Sequence, residues 1–156
     1  MNVDRICSSR IVSVPRGASL AEAASRMKER HVGALLVTDD TGDGERAVGI
    51  VTDRDLVLYA LAEGLGPTEA CVEDVMTPAL ATVRADAGVF EAAEAMRAAG
   101  VRRLAVSGEG GEIVGIVSLD DIVDAIAAEL GSLALALRRE REREQTRAYE
   151  SGQMTG

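Results

Sequence analysis

The chain has 156 residues, 47% of them hydrophobic and only 2% aromatic, with no Trp and a formal net charge of −9. That is enough apolar material for one domain, or for two small ones sharing a core built from Val, Ile, Leu, Ala and Met. The acidic balance argues against nucleic-acid binding by phosphate neutralisation, and the aromatic poverty leaves no stacking platforms for single strands.

Reading from the start, the polar stretch Met1-Asn2-Val3-Asp4-Arg5 does not resemble a signal peptide. No later apolar run reaches the roughly 20 residues that span a bilayer. Ile11 to Val14 predicts a strand, and Pro15-Arg16-Gly17 a turn. Ser19 precedes Leu20, Ala23, Ala24 and Met27 at helical spacing, with Ser19-x-x-Glu22 as a capping box. Ala34 to Thr38 and Ala47 to Val51 predict a hairpin around the Asp- and Gly-rich loop 39–45. Asp53 to about Glu63 predicts a second helix, stopped by Gly64 and Gly66-Pro67. One helical turn around Val72 to Met76 is expected in the following linker.

The same order then returns. A shift of 69 residues aligns Val14 with Val83, Glu22-Ala23-Ala24 with Glu91-Ala92-Ala93, Met27 with Met96, and Leu35 with Leu104. After a hairpin loop three residues shorter, a shift of 66 aligns Val48-Gly49-Ile50-Val51 with Val114-Gly115-Ile116-Val117, and Asp55 with Asp121. The chain is a tandem duplication. A unit of some 50 residues cannot cover both faces of its own sheet, which gives a physical reason for two. The expected fold is mixed α/β (α+β), two β-α-β-β-α units, divided as residues 1–66, 67–130 and a tail 131–156. From Leu130 at the end of the second unit, Leu133 and Leu137 continue a helical stripe into the alternating charges Arg138 to Glu144 of the tail, a solvated helix. Ser151 to Gly156 is expected to be disordered.

Three pieces recur in order: Val72-Glu73-Asp74-Val75-Met76-Thr77-Pro78 before a unit, Gly100 to Val106 in its middle, and Gly49-Ile50-Val51-Thr52-Asp53-Arg54-Asp55 at its end. On these the chain, from about Val3 to Leu130, resembles a tandem CBS-domain pair, or Bateman module, similar to short stand-alone bacterial CBS proteins. The resemblance implies two sheets stacked about a pseudo-twofold axis with two equivalent clefts, and often a homodimer. It also implies a regulatory rather than catalytic role with AMP, ADP, ATP or S-adenosylmethionine as ligand. No cofactor is required by it.

Two readings of the repeated motif stand side by side. Thr52-x-x-Asp55 and Ser118-x-x-Asp121 are helix capping boxes by their letters, a role worth roughly 0.5–2 kcal/mol. In the family the matching Asp holds the ribose hydroxyls and the matching hydroxyl the phosphate, at a helix N-terminus suited to anions. Arg54 adds positive charge to the first site, where the second has Asp120. Arg102 and Arg103 match positions where relatives place phosphate-contacting basic residues, whereas the first unit has Gly33 and Ala34. Ser13 and Thr82 lie near where relatives hold the base, and are equally ordinary polar groups of an edge strand. His31 reads as a helix-end cation, and Met27 and Met96 as core.

With one His, and with Cys7 and Cys71 lacking ligand spacing, no metal set is expected. The protein is expected to be cytoplasmic, where reducing conditions disfavour a Cys7–Cys71 disulfide. No nucleophile has a base beside it, so catalysis has no candidate. Gly42-Asp43-Gly44 is a hairpin tip rather than a dinucleotide loop. Alternatives to nucleotide regulation are a ligand-free interaction module, and a regulatory subunit that docks on an enzyme through the Leu133–Leu137 stripe.

Overall fold

The structure is a computed structural model that describes residues 1–40, 42 and 44–153. Thr41, Asp43 and the last three residues lie outside the described part, and with them part of the first hairpin tip and the end of the tail. Two compact units are present, residues 1–118 and 119–156. The first holds both sheets and is described first.

Strand β1 is Ser13–Pro15, followed by helix α1 (Leu20–Arg30), strands β2 (Ala34–Asp40) and β3 (Glu45–Thr52), and the short helix α2 (Asp53–Asp55). β4 (Thr77–Pro78) belongs to the linker, and the second repeat continues with β5 (Thr82–Arg84), α3 (Val89–Ala99), β6 (Arg103–Ser107) and β7 (Ile113–Ser118). The duplicated β-α-β-β-α order is therefore present. β1 pairs parallel with β2, and β2 antiparallel with β3, as β5, β6 and β7 do in the second sheet. Apolar side chains from one face of each sheet and one stripe of its helix make the core: Val14, Leu20, Ala23, Met27, Leu35, Val37 and Val51 in the first repeat. Val83, Val89, Ala92, Met96, Leu104, Val106 and Val117 are buried at the matching places of the second.

What joins the repeats is a reciprocal exchange. The linker turn Val72–Asp74 docks on the first repeat through Val72 N to Ala18 O (2.8 Å) and Glu73 N to Arg16 O (3.0 Å). The N-terminal turn Val3–Arg5 docks on the second through Val3 N to Ala87 O (2.9 Å) and Asp4 N to Ala85 O (3.0 Å). Each donor and acceptor in one pair lies 69 residues from its counterpart in the other. Val3 and Val72 are both fully buried, worth about 1.5–3 kcal/mol apiece relative to exposure.

The chain next runs across the partner sheet: β4 pairs with Gly49 and Ile50 of β3, and Ser8 bridges to Ile116 of β7. A Cβ at Gly49 would sit 2.6 Å from the Thr77 carbonyl oxygen, and one at Gly115 would sit 2.8 Å from Cys7 Sγ. The motif glycines are there because another strand crosses over them.

Several local expectations change. β1 starts later than expected and includes Pro15, which an edge strand tolerates because it needs no N–H there. Ser19 Oγ does accept from Glu22 N (3.2 Å), but the Glu22 carboxylate pairs with Arg26 (2.8 Å) instead of returning to Ser19, so the box is half made. A charged partner four residues on outcompetes the neutral backbone N–H. Beyond α2 the helix widens into π-helical turns over Leu56–Leu61 rather than continuing as α-helix. The linker turn is a single 3-10 turn over Val72–Asp74 rather than a helical turn reaching Met76. At the end of α1, His31 takes the left-handed backbone (φ 54°) that Gly100 takes at the end of α3, a conformation costing a non-glycine residue roughly 1 kcal/mol.

The second unit is a single helix, α4 (Leu119–Gln153). It runs without a break through Gly131 and covers Ser151 to Gln153, where disorder was expected, because a strong helix-forming run outweighs one interior glycine. Leu130, Leu133 and Leu137 are exposed along it.

Candidate functional site: two strand–helix junctions and the clefts beside β1

The first junction is where β3 hands over to α2. Thr52 has extended backbone and its Oγ1 accepts from Asp55 N (3.2 Å), while Asp55 Oδ2 accepts from both Thr52 N (2.8 Å) and Thr52 Oγ1 (2.7 Å). The capping box is complete, and it has a consequence for chemistry. The Thr52 hydroxyl proton is committed to Asp55, so in this arrangement Thr52 has none to give a phosphate. Asp55, half-buried, is anchored through Oδ2 alone, which leaves the lone pairs of Oδ1 for a second pair of donors. Capping and ribose binding are therefore compatible uses of one carboxylate. Arg54 is exposed beside it, and its guanidinium makes no hydrogen bond or ion pair among the described residues.

Across the sheet, Gly33 fills the place that Arg102 has in the second repeat. A Cβ at Gly33 would lie 3.2 Å from Asp53 Oδ2, and Asp53 N donates to Gly33 O (3.1 Å). The second repeat has Arg102 and Leu119 where the first has Gly33 and Asp53, and Arg102 is exposed. Arg103 opens β6 directly opposite Ser118 in the ladder, as Ala34 stands opposite Thr52. The structure thus brings Arg103 and Ser118 together. Asp121 lies in the first turn of α4, with Asp120 before it.

Ser13 and Thr82 line one common cleft of about 850 Å³ between the repeats. Its walls come in matched pairs: Ile11 with Leu80, Ser13 with Thr82, Arg46 with Glu112 and Ala47 with Ile113, so it sits on the pseudo-twofold axis. Leu36 and Thr38 also line it, and Thr38 is a buried polar side chain. Thr52, Arg54, Asp55, Arg102, Arg103 and Ser118 do not line this cleft. Sequence reasoning missed Thr38, Arg46 and Glu112; the pairing of Ile11 with Leu80 beside Ser13 and Thr82 was the available signal. A second cleft, of about 640 Å³, opens on the other side of Ile11 and Ser13 against α1. Among the described residues no group of three or more His, Cys, Asp or Glu is arranged to hold a metal, and no helix is long and apolar enough to cross a membrane.

Residues 3–62 and 72–128 both match the CBS domain family. The chain belongs to that family. An uncharacterized protein of Methanopyrus kandleri is 28% identical over 79% of this chain, and the chain spans 61% of that relative's length. Among solved structures, a putative signal-transduction protein with CBS domains from Burkholderia ambifaria has a TM-score of 0.72 at 27% identity, over 82% of this chain and 95% of its own. The CBS domain pair of protein MJ0100, solved in complex with 5′-methylthioadenosine and S-adenosyl-L-methionine, has a TM-score of 0.69 at 25% identity, over 83% of this chain and 98% of its own. CBS-domain proteins are generally regulatory rather than catalytic.

Proposed function

We propose that this CBS pair is a regulatory, non-catalytic module that binds an adenosine derivative, AMP, ADP, ATP or S-adenosylmethionine, between its repeats. The axial cleft carries the reading. Its volume is in the range of small-molecule sites, its walls are largely apolar, and Ser13, Thr38 and Thr82 supply hydroxyls that can fix a base. Asp55, held by Thr52 with one oxygen uncommitted, suits two vicinal ribose hydroxyls; Asp121 has the corresponding role in the second repeat. Arg54 in one half and Arg102 and Arg103 in the other supply cationic groups for the polar end of the ligand. The adenosine compounds bound by the MJ0100 pair support the same ligand class.

Occupancy biases the tilt between repeats or the geometry of a homodimer, and a partner reads the change. Val57, Leu61 and Phe90 are exposed apolar side chains suited to such a dimer. A second reading, docking on a partner protein without any ligand, draws on the exposed Leu130, Leu133 and Leu137 of α4.

Thermal unfolding with each candidate ligand separates the two readings. Ligand at 100 times its dissociation constant adds about 2.7 kcal/mol of stability, a clear rise in melting temperature. No rise with any adenosine compound would remove the nucleotide reading and leave the docking one.

A further inference from the structure

The cleft on the α1 side of Ser13 is lined by Arg10, Ile11, Val12, Ser13, Arg26, Glu29, Arg30 and His31. Three guanidiniums and an imidazole converge there in a chain whose formal net charge is −9. Arg26 is fixed in place: its Nη1 donates to Ser13 O (2.8 Å) and its Nη2 to Glu22 Oε1 (2.8 Å). Arg10 and Arg30 are exposed, and their guanidiniums make no hydrogen bond or ion pair among the described residues. Glu29 is the one acidic residue of the lining.

The duplication supplies an internal control. At the positions 69 residues later stand Ala79, Ala95, Ala98, Ala99 and Gly100, in place of Arg10, Arg26, Glu29, Arg30 and His31. Every charged or basic group of this lining is therefore peculiar to the first repeat, while the neighbouring Ile11 and Ser13 keep their counterparts Leu80 and Thr82. A merely solvating surface has no reason to concentrate cations at one copy and alanine at the other.

We propose that this cleft binds a phosphate-bearing anion, with Arg10 and Arg30 as the mobile contacts and Arg26 as the fixed one. Arginine forks match phosphate oxygens in two-pronged, charge-assisted bonds, and converging cations in a recess focus the field that recruits the anion. Ile11 and Ser13 line this cleft and the axial one alike. A nucleotide with its base by Ser13 and its phosphates turned toward α1, rather than toward Arg54, Arg102 and Arg103, places them in this basic recess, and a free polyphosphate fits the same groups. The nucleotide form rests on the function proposed above; the anion site itself does not.

The test is calorimetric titration of the full chain with tripolyphosphate, ATP and adenosine at fixed ionic strength. Arg10→Ala with Arg30→Ala should weaken tripolyphosphate and ATP by about tenfold or more, and Arg10→Lys with Arg30→Lys should recover part of that loss. Arg97→Ala, which removes an exposed charge in the second repeat, should leave both affinities unchanged. If adenosine binds equally well to the wild type and to the double alanine variant, the phosphate chain of a nucleotide occupies the cleft. If adenosine does not bind but tripolyphosphate does, the anion site stands and the nucleotide reading fails alone. Absence of tripolyphosphate and ATP binding, or affinities within twofold between wild type and the double alanine variant, would overturn the proposal. Unchanged melting temperatures without ligand certify that the variants are folded.

Discussion

The two repeats share a backbone and differ in how their side chains use it. In both, a turn from the other half docks by the same two backbone hydrogen bonds and a following segment crosses over the motif glycine. The fastenings differ at the turn after the first strand. In the first repeat, Arg16 reaches outward to Asp39 (2.9 Å) and to Glu73 (2.6 Å) of the docked linker. In the second, Arg84 folds back on Asp86 (2.7 Å) of its own turn, and Ala85 replaces Arg16. Duplication preserved what the fold needs from the main chain and released the side chains, and the difference is concentrated on the surfaces beside β1 and β5.

The largest way to break that symmetry is at the crossing. Gly49→Val drives a branched side chain into the Thr77 carbonyl and should cost about 3 kcal/mol or more by urea unfolding. Gly115→Ala meets first a cysteine side chain that can turn aside, and should cost about 1 kcal/mol, less than Gly49→Ala. Equal costs for the two alanines would show that the crossings are alike after all. Next come the docked valines. Val3→Ala and Val72→Ala should each destabilise by about 2 kcal/mol, and by similar amounts because both are fully buried at matched positions. A negligible cost for Val3→Ala would mean that the N-terminal turn is not part of the cooperative core.

A smaller effect is expected at the junction, where Thr52→Ala removes the cap and should cost about 1 kcal/mol. Asp55 keeps its carboxylate in that variant, so adenosine binding should weaken less than in Asp55→Ala. The smallest effect is electrostatic. The Arg84 hydrogen bond holds the Asp86 carboxyl below its ordinary value. A lowered folded value means stability that is present above the unfolded value and lost as pH falls through the folded one. Wild type should therefore lose slightly more stability on acidification than Asp86→Asn, a small difference because the pair is exposed. Identical acid limbs would show that this turn is unsupported by its ion pair.

The repeat itself was legible because apolar periodicity and the ordered matches at 69 and 66 residues survive divergence. The strand–helix motif was legible too, but its letters alone favour capping and the ligand-binding reading came from the resemblance. Geometry was needed to see that Asp55 caps through Oδ2 alone. The reciprocal docking was not legible. Val3 and Ala87 are far apart in sequence, and main-chain hydrogen bonds leave no side-chain signature. The match of Val3 and Ile6 with Val72 and Val75 showed that the two turns correspond, not where they dock. The basic cleft was hidden for a related reason. Arg10, Arg26 and Arg30 come from a loop and one helix face, and their charges are diluted in an acidic chain until the fold gathers them.

The most direct test of the account is calorimetric titration of AMP and S-adenosylmethionine into the wild type, Asp55→Ala and Asp121→Ala. The account predicts saturable binding to the wild type, with at least one of the two substitutions weakening it tenfold or more while the unliganded melting temperature falls only by the loss of a cap. No saturable heat with either ligand, or affinities unchanged in both variants, would contradict it.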